Sequence, residues 1–598
     1  MSSANWQAAA VCRGNAAGDM AGANAGGIAL TMPSQIDIEL NEVMDRLTAP
    51  GAPLECVTVL RDGRPYPAFR HAPASLPAMF AQSCTQYGPA PFLVDGRVRL
   101  SFAETHALAR RVALGLIARH GVARGERVGI AARNSANWIV LYMGVLMAGG
   151  CVTLLNGWWT GGEMADGIAL TDCRLVLADE PRAARLAGQD CAARLVLFDH
   201  GDPESGLAAV LADAGAAGEL PELAGDDLAT ILFTSGSTGA CKGAWSDHRS
   251  VVHGAMNYAA QTLMLLAWLT DRGEAPTSQP IALVSIPLFH ITAEVPLFLQ
   301  SFLIGRCLVL MPKWDAKEAM RLIAQERVTY FVGVPLMSYE IATHPERGEF
   351  DLTSCVSFVA GGAPRPVEHV LQIRENLPHA FPMLGYGLTE TNAVGCGNFN
   401  ENYMAKPDST GPATRPIVEL AILGEDGAAL PSGAIGEIAF RSIALFGGYW
   451  GNPAATVAAV REDGFFLTGD LGHVDADGYL FIVDRKKEII IRGGENISCI
   501  EVEQALYAHP DVAEASVFGL ADTRLGEVPA AVVYAKPGHR LSDAALRSFL
   551  AGQLAAFKVP VQIWFESEPL PRLGTEKVDK RALKARYADA PAGAKEGG

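Results

Sequence analysis

The sequence predicts an α/β protein in which a large N-terminal domain carries parallel-rich sheets and a small α+β domain follows it. Three observations support this reading. Short apolar runs alternate with stretches of helical period from Ser75 onward, the pattern changes after Asp484, and 49% apolar against 19% charged residues over 598 positions supply a large core. Length alone favours roughly three to five structural units.

The elements follow in chain order. Residues 1–32, rich in Ala, Gly, Asn and Ser, lack the Lys/Arg-led apolar core of a secretory signal; they are expected to be disordered or to precede the true start at Met32. Arg127-Val-Gly-Ile-Ala131 reads as a strand. Trp138, Leu141, Tyr142 and Leu146 recur at helical spacing over 137–147, and 151–155 reads as the next strand. Further strands are expected at 282–287, 308–311 and 330–334, with a helix over 316–327. Strands alternating with helices imply a parallel sheet covered on both faces. No fixed-period repeat is visible. Beyond Asp484, Ser498-Cys-Ile-Glu501 has the pattern of a capping box opening a helix through Tyr507. Strands at 515–518 and 530–535 come next, then a helix from Ser542 with Leu546, Phe549, Leu550 and Leu554 on one face, bounded by Pro560 before a strand at 561–565. The expected organisation is therefore 33–484, 485–588 and a tail at 589–598.

Composition excludes several function classes. Lys+Arg 48 against Asp+Glu 65 gives a net charge of −17, so nucleic acid is not an expected partner and any anionic ligand must be held locally. The 11 cysteines are scattered without a C-x-x-C pair, which speaks against a zinc knuckle or disulfide frame. The most apolar stretch, 295–311, is broken by Gln300, Ser301, Gly305 and Arg306 and reads as a buried helix running into a strand rather than a membrane span. A soluble cytoplasmic enzyme is the expectation.

The strongest local signal is Ile231-Leu-Phe-Thr234-Ser235-Gly236-Ser237-Thr238-Gly239-Ala-Cys-Lys242-Gly243. An apolar strand runs into a Ser/Thr/Gly loop that ends in a lysine. The glycines let backbone N–H groups converge, while hydroxyls and an ammonium add donors and charge, as a phosphate cradle requires. A flexible Gly/Ser turn has the same composition. The Walker loop fails as an alternative, because the lysine is preceded by Cys241 and followed by Gly243.

The loop resembles the phosphate loop of the adenylate-forming superfamily, which includes acyl-CoA synthetases, coumarate–CoA ligases, luciferases and peptide-synthetase adenylation domains. Pro287-Leu-Phe-His290, Ala360-Gly361-Gly362-Ala363-Pro364, Gly385-Tyr386-Gly387-Leu-Thr389-Glu390, Phe466-Leu-Thr-Gly-Asp470, Asp484-Arg485-Lys-Lys487, Ile491-Arg-Gly493-Gly494-Glu-Asn496 and Pro571-Arg-Leu-Gly-Thr-Glu-Lys577 occur in the family's order over roughly 92–584. The resemblance implies doubly wound sheets with a β-barrel-like part and a small mobile lid domain. It also implies ATP, Mg²⁺ and coenzyme A: a carboxylic acid becomes acyl-AMP with release of pyrophosphate, and a thiol then displaces AMP. Bringing a carboxylate to a triphosphate opposes like charges, so positioning and charge compensation are what the residues must supply.

By the same resemblance, Thr234 to Gly239 hold the β- and γ-phosphates with Lys242 nearby, and Glu390 with Thr234 holds Mg²⁺. Thr389 contacts the α-phosphate, and Gly361 to Ala363 with Gly385, Tyr386 and Gly387 form the adenine slot. Asp470 takes the ribose hydroxyls, and Arg485 adds a ribose or phosphate contact. Lys577 reaches the α-phosphate and the substrate carboxylate, although Glu576 stands where the family has glycine. Lys487 matches the hinge pivot, Gly493-Gly494 lines the pantetheine path, and Lys313 matches a CoA contact, while Ile491 replaces a lysine of coumarate ligases. His290 sits at the mouth between acyl pocket and thiol tunnel, though a histidine after an apolar strand can equally be a core residue.

The expected acyl wall is Ile291, Val334, Pro335, Gly361, Gly385, Ala393 and Val394, with Trp158-Trp159 as a cover or as packing residues. Its apolar and small residues, with no Asp in Phe289-His-Ile-Thr-Ala-Glu294, favour an uncharged fatty, aryl or alicyclic tail. A stand-alone acyl-CoA ligase is the expectation, with a homodimer allowed. The alternatives are an acyl-AMP ligase loading a separate carrier protein and a non-catalytic nucleotide-binding protein of the same fold.

Overall fold

Two large, mainly parallel sheets carry the N-terminal domain of the computed structural model, which describes residues 34–216, 218–235, 241–573 and 577–587. The extension at 1–32 and the tail at 589–598 lie outside the described residues. The first sheet has seven strands, in the spatial order Gly448–Tyr449, Cys241–Asp247, Leu228–Ser235, Cys151–Leu154, Arg127–Ala131, Leu175–Ala178 and Arg194–Leu197. The second has eight: Gly395–Asn398, Phe381–Gly387, Ser357–Ala360, Tyr330–Gly333, Ile281–Val284, Cys307–Leu310, Pro91–Asp95 and Val98–Ser101. Strands such as Cys151–Leu154 and Cys307–Leu310 are buried at every position and almost wholly apolar, as parallel strands covered on both faces require.

The helix Ala136–Met147 is buried at every position, and its sequence is apolar almost all round. Ser135 caps it by accepting from the Trp138 N–H at 3.1 Å. Gly144 is required there, because a methyl group would overlap Val112 of the helix Phe102–His120. The apolar stretch after His290 opens as one turn of π-helix, Glu294–Leu299, before the α-turn Gln300–Ile304 and the strand Cys307–Leu310. Pro296 inside that turn has no N–H to donate. Among the described residues, no helix is long and apolar enough to cross a membrane.

The carboxyl ends of the two sheets meet. The Asn134 amide, just past the strand Arg127–Ala131, donates to the Ile286 carbonyl at 2.9 Å and accepts from the Leu288 N–H at 2.8 Å. Asp95, ending the strand Pro91–Asp95, accepts from the Ala136 N–H at 2.9 Å. In open α/β sheets ligands sit along such an edge. An antiparallel four-stranded sheet, Glu419–Leu423, Gly436–Arg441, Phe466–Val474 and Leu480–Arg485, supplies the remaining wall.

A separate C-terminal domain follows. Gly526–Ala535 and Val512–Asp522 form a long antiparallel pair, and Gln562–Glu566 joins parallel to the former. Its cores around Val502, Val533 and Leu550 and around Phe518 and Trp564 are distinct from the main core. The capping box is half made. Ser498 accepts from the Glu501 N–H at 3.0 Å, but the Glu501 carboxylate turns away to the Lys558 ammonium at 2.7 Å. Between the domains the Tyr507 ring meets His369 edge-on at 5.7 Å, and His369 stacks on Tyr339 at 4.1 Å.

Candidate active site

The segments flanking residues 236–240 are paired strands. The strand Leu228–Ser235 pairs antiparallel with Cys241–Asp247, which sets Thr234 opposite Lys242. Gly236, Ser237, Thr238 and Gly239 lie outside the described residues. The Lys242 ammonium lies 4.6 Å from the centroid of the Tyr449 ring. Such a contact holds a cation without neutralising it. The Tyr449 hydroxyl in turn donates to Glu390 Oε1 at 2.8 Å.

Glu390 stands in the single 3₁₀ turn Thr389–Thr391, which also carries Thr389, half-buried. Burial raises the Glu390 carboxyl above its ordinary range, while the Tyr449 phenol and the charges of Lys242 and Arg485 pull it back. The turn is closed by Asn392 and Ala393, both left-handed at φ 48° and 65°. That conformation is uncommon for alanine and costs about 1–2 kcal/mol. It is held by the Tyr258 hydroxyl, donating to the Ala393 carbonyl at 2.6 Å, and by the Asn392 amide, donating to the Ala444 carbonyl at 2.8 Å.

A second group of residues faces this one. Tyr386, near the end of the strand Phe381–Gly387, donates its hydroxyl to Asp470 Oδ2 at 2.6 Å. Asp470 is 6% exposed, and Arg485 Nε lies 3.4 Å from its other oxygen. Burial raises the Asp470 carboxyl, and the Arg485 charge and the Tyr386 phenol oppose it. The strand Ser357–Ala360 ends at Gly361, with Gly362 at φ 79°. A methyl group on Gly361 would stand 3.2 Å from Thr292 Cγ2, a tight fit that would push the threonine aside. A methyl group on Gly385 would meet nothing within 4 Å, so this strand end borders open space. Ala363 follows on the loop, half-buried.

Lys577 comes from the C-terminal domain into the same place. A Cβ added at Gly362 would lie 3.4 Å from Lys577 Cε and 3.7 Å from its ammonium. Burial and the Arg485 charge pull its pKa down to about 8, with Asp470 acting in the opposite sense. His290 Nδ1 accepts from the Thr292 N–H at 3.3 Å, which places the ring proton on Nε2. Burial and the charge of Lys577 push the imidazole down to about 3, so it is neutral at physiological pH. Ile291, Val334, Ala393 and Val394 are buried and apolar.

The structure thus brings together Thr234, Lys242, Gly361, Gly362, Gly385, Tyr386, Glu390, Asp470, Arg485, Lys577 and His290. Four other residues lie on exposed surface: Lys487 in the turn after Leu480–Arg485, Gly493 and Gly494 at a hairpin tip with φ 61° and 93°, and Lys313 past Cys307–Leu310. Glu576 is outside the described residues. Sequence reasoning missed Tyr449 and Thr292. The edge strand of Tyr449 is only two residues long, and nothing in its local sequence marks a polar partner.

Comparison with known proteins shows the family of the chain. Residues 80–450 match the model of the AMP-binding enzymes and residues 501–577 that of the AMP-binding enzyme C-terminal domain. A feruloyl-CoA synthase of Amycolatopsis is 36% identical over 60% of this chain and 70% of its own length. The long-chain-fatty-acid–CoA ligase FadD13 of Mycobacterium tuberculosis is 33% identical over 82% of this chain and 94% of its own. The crystal structure of ATP-bound MatB from Rhodopseudomonas palustris superposes with a TM-score of 0.75 at 30% identity, covering 86% of this chain and 99% of that one. The chain belongs to the AMP-binding enzyme family, on its acid–CoA ligase branch.

Proposed function

We propose that this acid–CoA ligase activates a carboxylic acid with an uncharged fatty, aryl or alicyclic tail, using the residues gathered around Gly362. ATP and the acid give acyl-AMP and pyrophosphate, and the CoA thiol then attacks the acyl carbon and releases AMP. The observation that carries this reading is the Lys577 ammonium, brought from one domain to the glycine turn and Asp470 of the other.

Each residue then has one task. Asp470, steadied by Tyr386, accepts from the ribose hydroxyls, which calls for an anionic acceptor. Tyr386, Gly361 to Ala363, Gly385 and Gly387 shape the adenine slot. The segment from Thr234 through Gly239, with Lys242, holds the β- and γ-phosphates, and Thr389 holds the α-phosphate. Lys577 offsets the negative charge that builds on the α-phosphoryl group as the carboxylate oxygen attacks. Arg485 adds a second cation. A neutral His290 separates acyl pocket from thiol tunnel and exchanges no proton at neutral pH.

The residues fit Mg²⁺. That ion takes one or two carboxylates and completes its shell with phosphate oxygens and water. Glu390 offers one buried carboxylate with one oxygen already fixed by Tyr449, and Thr234 a hydroxyl. The bound ion would neutralise phosphate charge. Among the described residues, no cluster of three His, Cys, Asp or Glu side chains could form a protein-only metal cage.

The domain boundary is proposed at 484/485. Lys577 is at the site while Gly493-Gly494 is exposed, so this is the arrangement for adenylation. Rotation about Lys487 would bring the glycine hairpin, and with Lys313 the CoA contacts, into use for the second step. The relatives named for feruloyl and long-chain fatty acids bracket the acid class, and the apolar wall of Ile291, Val334 and Ala393 supports it. The test is CoA-dependent AMP release over a panel of carboxylic acids. Turnover of hydrophobic acids, with none of dicarboxylic or amino acids, is expected, and a preference for charged tails contradicts the reading.

A further inference from the structure

We infer that Tyr449 is a positioning residue that keeps the Lys242 ammonium and the Glu390 carboxylate from pairing with each other, so that one stays open to phosphate and the other to Mg²⁺. This rests on the tasks proposed for those two residues in the ligase reaction and adds the device that keeps both available before the nucleotide arrives.

The difficulty is one of charge. A cation and an anion prepared for the same metal–triphosphate stand in one site, and with nothing between them they attract. A direct pair would have to be broken at every binding event. Among the described residues, neither Lys242 nor Glu390 has an ion-pair partner. Tyr449 occupies both instead. The ammonium lies 4.6 Å from the ring centroid, and the hydroxyl donates to Glu390 Oε1 at 2.8 Å. A phenol suits this position. Its ring attracts a cation without a hydrogen bond, and its hydroxyl gives an anion one donor. Serine offers no ring to the ammonium, and phenylalanine offers no donor to the carboxylate.

The tyrosine is itself fixed to both neighbours. Its strand, Gly448–Tyr449, pairs antiparallel with Cys241–Asp247 and sets Tyr449 opposite Ala244. Ala244 is two positions from Lys242, so Lys242 and Tyr449 share one face of the sheet. The Tyr449 N–H donates to Thr456 Oγ1 at 2.9 Å, and the Trp450 N–H to the Gly243 carbonyl at 2.7 Å. Gly448, at φ 139°, lies where a methyl group would stand 2.8 Å from Thr456 Cγ2. Phe446 meets the Tyr449 ring edge-on at 5.1 Å, and its N–H donates to the Glu390 carbonyl at 2.9 Å. One short segment is thus tied to the strand of Lys242 and to the turn of Glu390.

The test is calorimetric binding of ATP, without acid or CoA, in excess Mg²⁺ and in excess EDTA. Tyr449→Phe keeps the ring beside Lys242 and releases Glu390. It should weaken binding about fivefold with Mg²⁺, the scale of one hydrogen bond, and leave binding in EDTA unchanged. Tyr449→Leu removes both contacts and lets the two charges pair, so binding should weaken about tenfold in both conditions. In a Lys242→Met background nothing remains for Glu390 to pair with, and Tyr449→Leu should then have no effect in EDTA. A loss that persists there, or an equal loss with and without Mg²⁺ for Tyr449→Phe, shows a merely structural role and overturns the inference. The phenylalanine variant answers the question alone if the double variant does not fold. Absence of ATP binding by the wild type would instead refute the ligase reaction.

Discussion

The two faces of the active site are built in opposite ways. On the large-domain face, Lys242, Tyr449 and Glu390 form a chain of contacts over a turn whose left-handed residues are locked by Tyr258 and Asn392. On the other face the Lys577 charge comes from a separate domain, and the Arg485 beside it has an exposed side chain. A fixed cradle suits phosphates that occupy the same place throughout binding. A delivered ammonium suits charge that must be present in one half-reaction and absent from the next. In the proposed reaction, preorganisation and mobility are divided between domains rather than averaged over the site.

The largest expected effect falls on the delivered charge. Lys577→Ala should slow acyl-AMP formation by about 10²–10³, the scale for losing one charge-stabilising donor, while thioester formation from preformed acyl-AMP is spared. Rapid-quench assays of each half-reaction separate the two, and equal losses in both would remove the distinction between the faces. The same charge gives a pH signature. A lysine with a pKa of about 8 is protonated below that value, so adenylation by the free enzyme should decline as pH rises through about 8, and Lys577→Arg should abolish that decline at a lower rate.

The fixed side has its own signature in stability. Glu294 is fully buried beneath the site, accepts from the Tyr142 hydroxyl at 2.7 Å, and has no partner for its second oxygen. Burial raises its pKa from 4.5 to about 7. The folded state therefore holds the proton more tightly than the unfolded chain. The stability tied to protonated Glu294 is complete below about 4.5 and is lost as pH rises through about 7, on the order of 3 kcal/mol. Denaturation of Glu294→Gln should show the variant gaining on wild type by that amount between pH 4 and pH 8.5, and a constant difference would contradict it.

Smaller effects test the joints. Tyr386→Phe removes one hydrogen bond to the Asp470 carboxylate and should raise KM for ATP about tenfold with little change in kcat. Tyr507→Ala removes the edge-on contact with His369 that joins the two domains. It should slow adenylation about threefold, on the scale of one aromatic pair, with Tyr507→Phe restoring it. A larger fall in thioester formation than in adenylation would reverse that assignment.

Much of this was legible in the chain. The strand Arg127–Ala131 matches its reading residue for residue, because a β-rich apolar run bounded by polar residues has few alternatives. Asp470, Glu390, Tyr386 and Lys577 converge as the ordered motifs imply. What stayed hidden depends on long-range pairing. The Tyr449 bond to Glu390 spans 59 positions, and Arg97, Arg133 and His200 line one cleft only because the carboxyl edges of two sheets are pinned together. The Ser498 box was read as reciprocal, but Lys558 competes for Glu501 from 57 residues away, and no local pattern records that.

The central claim is that a carboxylate oxygen of the acid attacks the α-phosphorus of ATP. Turnover of an acid labelled with ¹⁸O in both carboxylate positions, with ATP, Mg²⁺ and CoA, tests it most directly by mass spectrometry of the nucleotide product. One ¹⁸O in AMP, with unlabelled pyrophosphate, is the expected result. Unlabelled AMP, or label in inorganic phosphate alongside ADP, would contradict it.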